Sequence, residues 1–459
     1  MNQQHGSFSA GDGGLANRNP VRTRVFAVFI AGALYLSLPR RSHAEDSADA
    51  KFMYYAEEKG RINVMAPTFM AQHETAGGLN IKLEGIYNSI SGATPTGAPL
   101  VPAARIVTVA APAPVSAPVI SGDDDHDDEG DDDRISGVVS RRTAAFAAVS
   151  GATPAAAPAP AGGSSGASSS PAAGQASVPA GGGQLPMADF SDSRVGLNLG
   201  ISKRIGRHTP GTLLSFSGES DYVSTGVSLQ DAIDFNKKNT TLLVGGAYTH
   251  DAISPANGRP SDSKDSMDLM LGISQVLTPA TLLTANIVLG TVDGFISDPY
   301  KVVLLNNELV PEKRPETKDK QIVYLALDQF VAPLNGSVEA SLRHYADSFG
   351  ITAETVTLAW FQKIGEEFIV SPLLRYYTQG EADFYDVTFA GAPEFYSADF
   401  RVSAFEATSY GLQFIWMPTR QWSFDLGYER YSQDGTDGKT PQEAYVSANI
   451  IRAGVRLLF

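Results

Sequence analysis

Cysteine is absent from this sequence of 459 residues. Its absence excludes a disulfide framework, a cysteine zinc site and the lipid-modified cysteine of a lipoprotein. Beyond residue 38, no apolar run approaches the ~20 residues that a membrane-spanning helix needs. Yet 43% of the residues are hydrophobic, and the chain contains 17 Tyr and 22 Phe. An open soluble sheet with so much aromatic surface would be prone to aggregation. A membrane β-barrel carries such residues in girdles at its two interfaces with the lipid headgroups.

The acidity of the chain is mostly local. The net charge is −15, but nine carboxylates lie in one tract between residues 123 and 133. Nucleic acid is therefore not an expected partner. With His126, these carboxylates could weakly collect divalent cations, the only cofactor we consider, because hard cations take oxygen ligands. The alternative is a solvated run of like charges, since the tract lacks the spacing and glycine of an EF-hand loop. The candidate ligands are Asp123, Asp124, Asp125, His126, Asp127, Asp128, Glu129, Asp131, Asp132 and Asp133.

The first part of the chain has the pattern of a secretory signal. Arg22 and Arg24 precede an apolar run over 25–38, and Ser42 and Ala44 then place small residues at the two positions that a signal peptidase reads. The run of 14 residues is too short for a spanning helix but suits a signal peptide. We therefore expect residues 1–44 to be a cleaved signal peptide and the protein to be exported.

Segments of about ten alternating residues recur over 51–88 and 193–459. In the clearest of them, Tyr410, Leu412 and Phe414 share one face, and small or polar residues share the other. Such a period of two predicts strands with one face towards lipid and the other towards a lumen. The sixteen predicted strands are 51–57, 61–73, 79–90, 192–204, 211–220, 222–235, 239–251, 265–277, 280–292, 319–331, 336–348, 351–363, 367–380, 404–417, 421–432 and 446–459.

The connections between these strands alternate between tight turns and longer loops. The longer ones are notably 252–264, 293–318, 381–403 and 433–445. Outer-membrane barrels have this asymmetry, with short turns on the periplasmic side. We predict an all-β fold, a transmembrane antiparallel up-and-down β-barrel of about 16 strands, with its first strands in 45–90 and the remainder in 191–459.

Residues 91–190 do not fit the strand pattern. They contain Ala/Pro runs, Gly/Ser runs and the acidic tract, with few large apolar residues. Such a segment cannot bury enough surface to offset the entropy of ordering, so we predict a long disordered insert. It leaves the third predicted strand on the side of the longer loops, which is the outer side.

The last nine residues, 451–459, alternate in polarity and end on Phe459. A strand that finishes on an aromatic residue is typical of the assembly signal of Gram-negative outer-membrane barrels. We expect localisation in the outer membrane of a Gram-negative bacterium. The expected partners are outer-membrane lipid, the barrel assembly machinery and periplasmic chaperones, and the oligomeric state stays open.

Three short stretches resemble a known family. They are FMYYAEE at 52–58, RINV at 61–64 and ISGATPTGAP at 90–99. This sequence resembles the opening of an uncharacterised bacterial family classed as a domain of unknown function. The resemblance implies an exported outer-membrane β-barrel, although the long insert departs from the family in length. No catalytic or ligand residues are established for that family, so the resemblance implies none here.

Several charged residues are placed on the lumen side by strand parity. Acidic residues on the fifteenth predicted strand should lie near arginines on the sixteenth. Opposed rows of charge could orient polar solutes, or the pairs could simply neutralise one another along the wall. The predicted lumen charges are Glu339, Arg343, Arg375, Asp425, Glu429, Arg452 and Arg456.

The leading functional hypothesis is a channel for small solutes, because a barrel of this size can leave an aqueous lumen. The alternative is a non-conducting surface protein whose insert binds cations or a partner. A third hypothesis is a rim-sited hydrolase, for which His250 with Asp251 and His344 with Ser348 are the candidate pairs. Neither pair stands in a recognisable motif, so we expect no enzyme activity.

Overall fold

A computed structural model describes residues 46–99 and 185–459. The predicted signal peptide, the acidic tract and most of the predicted insert lie outside these ranges. Helical segments in the described ranges are five 3-10 turns of three residues each. None of the described helices is long and apolar enough to cross a membrane.

Sixteen strands form one closed antiparallel barrel. Each pairs with its neighbours along the chain, and the first pairs with the last. The barrel strands are β1 (Ser47–Glu57), β2 (Asn63–Glu74), β3 (Leu79–Pro95), β4 (Met187–Lys203), β5 (His208–Gly218), β6 (Tyr222–Phe235), β7 (Thr240–Ile253), β8 (Asp262–Thr278), β9 (Thr281–Gly294), β12 (Thr317–Val331), β13 (Gly336–Asp347), β14 (Thr352–Ile364), β15 (Phe368–Gln379), β16 (Phe405–Trp416), β17 (Trp422–Gly435) and β18 (Ser447–Leu458). Two further strands, β10 (Val302–Leu305) and β11 (Glu308–Pro311), form a separate hairpin. The predicted fold class and strand count are confirmed.

Most strand ends differ from the predicted bounds by a few residues, and the predicted insert and one predicted loop contain additional strand residues. Residues 91–95 and 187–190, predicted to belong to the insert, continue β3 and β4 and pair with each other. The small and polar residues at 91–95 hide the strand pattern, but the backbone pairing satisfies the N–H and C=O groups of both segments. The β10–β11 hairpin lies within the predicted loop 293–318. It turns through Asn306 and Asn307, both with positive φ, as two-residue hairpins require.

The two faces of the barrel wall differ in polarity as predicted. Outward-facing side chains on the wall include Leu269, Leu412 and Leu426, each more than half exposed. On the inner face lie polar side chains such as Asn198 and Ser409, which are buried. An apolar outer surface and a polar interior are the mark of a barrel that spans a lipid bilayer.

The two ends of the barrel differ in their connections. One end, called the turn end, carries tight turns and the seam where Asp46 and Phe459 exchange backbone hydrogen bonds of 3.2 and 2.9 Å. Outward-facing aromatic rings cluster near this end, with Trp416 and Phe424 at a centroid distance of 5.5 Å. The other end, called the loop end, carries the connections 295–316, 380–404 and 436–446. The predicted alternation of short and long connections is therefore present.

Candidate functional site

Two long connections, 295–316 and 380–404, join at the loop end into what we call the cap. Backbone hydrogen bonds link them, with Lys313 N–H donating to Tyr396 O at 3.0 Å and Tyr396 N–H donating back at 2.8 Å. Phe400 of the cap belongs to an apolar cluster that includes inward-facing Tyr55 and Ile450. The cap therefore reaches into the barrel interior rather than standing outside it.

Buried ion pairs hold the cap together. Arg314 Nε lies 2.8 Å from Glu312 Oε1, and its Nη2 lies 2.9 Å from Asp399 Oδ2. Arg401 joins Asp298 at 2.7 Å and Asp399 at 2.5 Å. The side chains of Glu312 and Asp399 are fully buried. Removal of one partner from such a cluster leaves a buried charge uncompensated, which is strongly destabilising.

A third cation completes this cluster. Lys301 is buried, and its ammonium group donates to the backbone carbonyl of Pro95 at the end of β3. Although burial alone would raise it, the nearby Arg401, Lys301 and Arg314 hold the pKa of Asp399 well below its ordinary range. The cap is thus tied to the barrel wall as well as to itself.

A cavity of about 260 Å³ lies beside the ion-pair cluster. Its lining is mixed in charge and includes Lys301, Asp399 and Lys439. Pro99 and Leu185, where the described chain breaks off and resumes, also line it. The loop end therefore concentrates charge where the insert leaves and rejoins the barrel.

Of the predicted lumen charges on the last two barrel strands, some form ion pairs with each other and some pair with other strands. Arg452 Nη2 lies 2.8 Å from Glu429 Oε2, and Arg375 Nη1 lies 3.8 Å from Glu429 Oε1. Glu429 is only 1% exposed. Arg456 instead pairs with Asp49 of β1 at 2.6 Å. Asp49 was not predicted as a partner, because it lies before the predicted first strand 51–57, whereas β1 begins at Ser47.

The remaining predicted lumen charges lie at defined register positions. Asp425 stands opposite Gly454 of β18, and Glu339 stands opposite Asp328 of β12. Arg343 stands opposite Tyr324 on one side and Thr355 on the other. The Arg343 guanidinium lies 5.5 Å from the ring centroid of Tyr345.

Other inward ion pairs escaped the sequence analysis. Lys320 Nζ lies 3.0 Å from Asp268 Oδ1, reaching across Gly290 on the strand between them. Lys318 pairs with Asp347 at 3.0 Å. The predicted strand 319–331 alternates poorly in polarity because its inner face carries the apolar Ile322 and Ala326 as well as Lys320. The alternation of side-chain direction along the strand was the signal from which the inward position of Lys320 could have been predicted.

The candidate hydrolase pairs are not brought together. His250 Nδ1 lies 2.8 Å from Asp265 Oδ1 on the outer face, whereas Asp251 is buried inside and pairs with Lys264 at 3.6 Å. His344 Nδ1 lies 2.5 Å from Glu354 Oε1. Ser348 accepts a hydrogen bond from the backbone of Asp319.

Three carboxylates form a separate group at the loop end. Asp192, Glu219 and Asp221 have oxygen atoms within 4.8 Å of one another. Arg194 Nε lies 3.3 Å from Glu219 Oε1, and the Tyr300 hydroxyl donates to Asp221. Burial raises the pKa of Glu219 to about 8, against the opposing effect of Arg194. Carboxylates in this arrangement could hold a divalent cation.

This group was not predictable from the sequence, because its members come from β4 and from the turn between β5 and β6. No spacing pattern connects them along the chain. The acidic tract at 123–133, predicted as a weak metal site, lies outside the described residues.

Barrel, polar interior and cap together define a transmembrane β-barrel with a partly filled loop end. The chain belongs to a family described as "Protein of unknown function (DUF3570)", whose profile matches residues 27–264 and 259–448. The predicted family resemblance is thereby confirmed. No curated protein matches the chain.

Several solved barrels are similar in fold at very low identity. The siderophore receptor PirA from Pseudomonas aeruginosa is 10% identical with a TM-score of 0.39, over 91% of this chain and 62% of the receptor. OccK9 (OpdG) from Pseudomonas aeruginosa is 9% identical with a TM-score of 0.38, over 91% of this chain and 99% of that one. OpdK from the same organism, solved with vanillate, is 9% identical with a TM-score of 0.37, over 91% and 98%. The chain thus spans less than two thirds of the receptor.

Proposed function

We propose that this protein is an outer-membrane channel that lets small polar solutes cross through its barrel. One observation carries the proposal, namely the division of polarity across the barrel wall. On β17, Leu426 and Tyr428 face outward and are about half exposed, whereas Asp425 and Glu429 face inward. Charged groups inside a barrel cost free energy unless partners, water or polar solutes compensate them. Arg375 and Arg452 compensate Glu429, and for the inward polar groups that stay accessible a lumen filled with water and polar solutes would supply the compensation.

The cap would then act as the entrance constriction. Its buried ion pairs and the apolar cluster of Phe349, Phe384 and Val402 fix its place inside the loop end. A solute entering from that side has to pass the cap before it meets the charged wall below. This function requires no catalytic residue and no cofactor.

Conductance of the refolded protein in a planar lipid bilayer tests the proposal. We expect stepwise currents from protein whose folded state is shown by heat-modifiable gel mobility and a β-type circular dichroism spectrum. Heat-denatured protein is the matched control and should give no steps. A folded barrel that carries no current would contradict the channel and favour the alternative, a surface protein whose insert binds cations or a partner.

Localisation and assembly belong to the same proposal. Export through the signal peptide at 1–44 and recognition of Phe459 by the assembly machinery would deliver the barrel to the outer membrane. The long connections of the loop end, including the insert, would then face the outside. Membrane fractionation of the native host tests this directly, and recovery in the inner membrane or cytoplasm would contradict it.

A further inference from the structure

We propose that the inner wall below the cap carries a binding site for a small organic carboxylate. The site is built around Arg343 of β13 and Thr355 of β14, which are direct partners in the sheet. The inference rests on the proposed function, because the ligand would be a solute that enters the lumen.

Arg343 differs from other inward bases in its surroundings. Arg452, Arg456 and Lys320 each lie within 3.0 Å of a carboxylate oxygen. Within residues 46–99 and 185–459, Arg343 forms no ion pair, and its buried Nε has no hydrogen-bond acceptor. A buried guanidinium donor left without an acceptor is costly, so the position favours an anion.

Thr355 supplies a second group beside the first. It is 7% exposed, and its buried Oγ1 has no hydrogen-bond partner in the described part of the chain. A buried hydroxyl without a partner is unfavourable, so this group favours an acceptor supplied by a ligand. Arginine and threonine therefore present neighbouring donors without protein acceptors. A carboxylate has two oxygen atoms, so it can accept one hydrogen bond from Arg343 and one from Thr355.

Tyrosine rings define the rest of the site. Tyr377 stands opposite Thr355 on β15, and Tyr345 flanks Arg343 on its own strand. Both tyrosines donate their hydroxyl groups elsewhere, Tyr345 to Asp347 and Tyr377 to Gln379, each at 2.6 Å. Their rings thus border the charged group with apolar surface, which suits the flat body of an aromatic carboxylate.

The position relative to the cap adds a role. Tyr345 packs against the apolar cluster that includes Phe349, Phe384 and Val402, so the site begins where the cap ends. A solute that passes the cap meets this site next. The site would therefore select among entering solutes by their charge.

Benzoate is the probe, and isothermal titration of the refolded protein in detergent micelles is the measurement. We expect saturable binding of benzoate and none of benzyl alcohol, which has the same ring but no charge. Arg343→Gln should weaken binding by about tenfold or more, the value of one charged hydrogen bond. Thr355→Val keeps the shape, removes the hydroxyl, and should weaken binding about threefold or more.

Lys82→Gln is the matched control, since Lys82 is an inward-facing base that pairs with Glu84 at 3.6 Å. It removes the same charge from the lumen and should leave benzoate affinity within about twofold of wild type. Equal losses in the Lys82 and Arg343 variants would overturn the site in favour of a general lumen field. Absence of benzoate binding to folded wild-type protein would overturn it outright.

Conductance of the same preparations separates this inference from the proposed function. A conducting barrel that does not bind benzoate would overturn the site and leave the channel standing. A barrel that binds benzoate through Arg343 but carries no current would contradict the channel and support the site.

Discussion

Glu219 is a buried acid whose protonation should be visible in the stability of the protein. Burial raises its pKa to about 8, so between its ordinary value and pH 8 the folded state holds a proton that the unfolded chain releases. The contribution of Glu219 to the free energy of unfolding is therefore greatest at low pH and falls as the pH rises towards 8. Glu219→Gln cannot titrate, so relative to wild type it should gain stability between about pH 5 and about pH 9.

Urea unfolding midpoints at the two pH values measure this gain. Glu366→Gln, in an exposed turn between β14 and β15, is the matched control and should show no such trend. A wild-type minus variant difference that is independent of pH would show that Glu219 does not hold a proton in the folded state.

Glu429 has two arginine partners and almost no contact with solvent. Glu429→Gln leaves Arg375 and Arg452 without their shared carboxylate, so we expect a loss of about 3–5 kcal/mol in the free energy of unfolding. In a conducting barrel the variant should also shift selectivity towards anions, at low and at high salt, because buried charges are little screened.

Reversal potentials in a salt gradient and urea unfolding provide the two readouts. Glu406→Gln, an exposed acid on the outer face of β16, is the control and should change neither. A selectivity shift that disappears near 1 M salt, where the Debye length is ~3 Å, would assign the effect to surface charge instead.

At the scale of strands, a glycine in β9 allows a side chain of β8 and a side chain of β12 to form an ion pair across β9. A Cβ at Gly290 of β9 would overlap Asp268 Oδ1 and Lys320 Cε, which form an ion pair over that position. Gly290→Ala should therefore cost about 1–3 kcal/mol through overpacking and disruption of the pair. Urea unfolding measures the loss.

Gly427 of β17 offers the control for that substitution. A methyl group at this position would have Arg452 Cβ as its nearest neighbour at 3.8 Å, an ordinary contact distance. Gly427→Ala should be close to neutral. Equal effects at the two positions would mean that backbone flexibility, rather than the ion pair, explains the loss.

Strand number and facing were predictable from sequence, because side chains alternate strictly along a strand and each barrel wall has one apolar face. The alternation of Leu412 and Phe414 with smaller residues is enough to place β16. The ion-pair partners of inward-facing residues were harder to predict. Asp49 meets Arg456 only because the sheet closes, and the local sequence does not specify the register of that closure.

The cap was not predictable for a different reason. Asp298, Glu312 and Asp399 come from segments that look like ordinary polar loops, and only their mutual burial turns them into a cluster. The Arg343 position was predicted to face the lumen, but the lack of an ion-pair partner in the described chain depends on three-dimensional surroundings.

For the whole molecule, the cap lies in the loop end, and in the proposed channel it would set how wide that end is. Asp399→Asn leaves Arg314 and Arg401 short of one buried carboxylate, which should cost the cap about 3–5 kcal/mol. We expect a loosened cap and a larger single-channel conductance than wild type.

Glu381→Gln is the comparison, because Glu381 and Lys439 pair at 3.1 Å with partly exposed side chains. Such a pair is worth only about 0–1 kcal/mol, so conductance should stay near the wild-type value. Unchanged conductance in Asp399→Asn, with the barrel folded, would remove the cap from the permeation path.

The insert offers a test of orientation. The chain leaves the loop end at Pro99 and returns at Leu185, so trypsin added to intact cells should cut between them if that end faces outward. The available sites are Arg105, Arg134, Arg141 and Arg142. Two membrane-bound fragments on a denaturing gel are expected. Protection in intact cells with cleavage only after lysis would place the insert in the periplasm or inside the lumen, and would contradict the proposed topology.

The seam between β1 and β18 also governs how the protein folds. Its ion pair joins residues 407 positions apart, Asp49 and Arg456, so the sheet keeps two open edges until the last strand arrives. Pairing over such a distance is slow, because the loop-closure entropy has to be offset before any contact forms. Until then both edges can pair with other chains, which makes the time before closure the period of greatest aggregation risk.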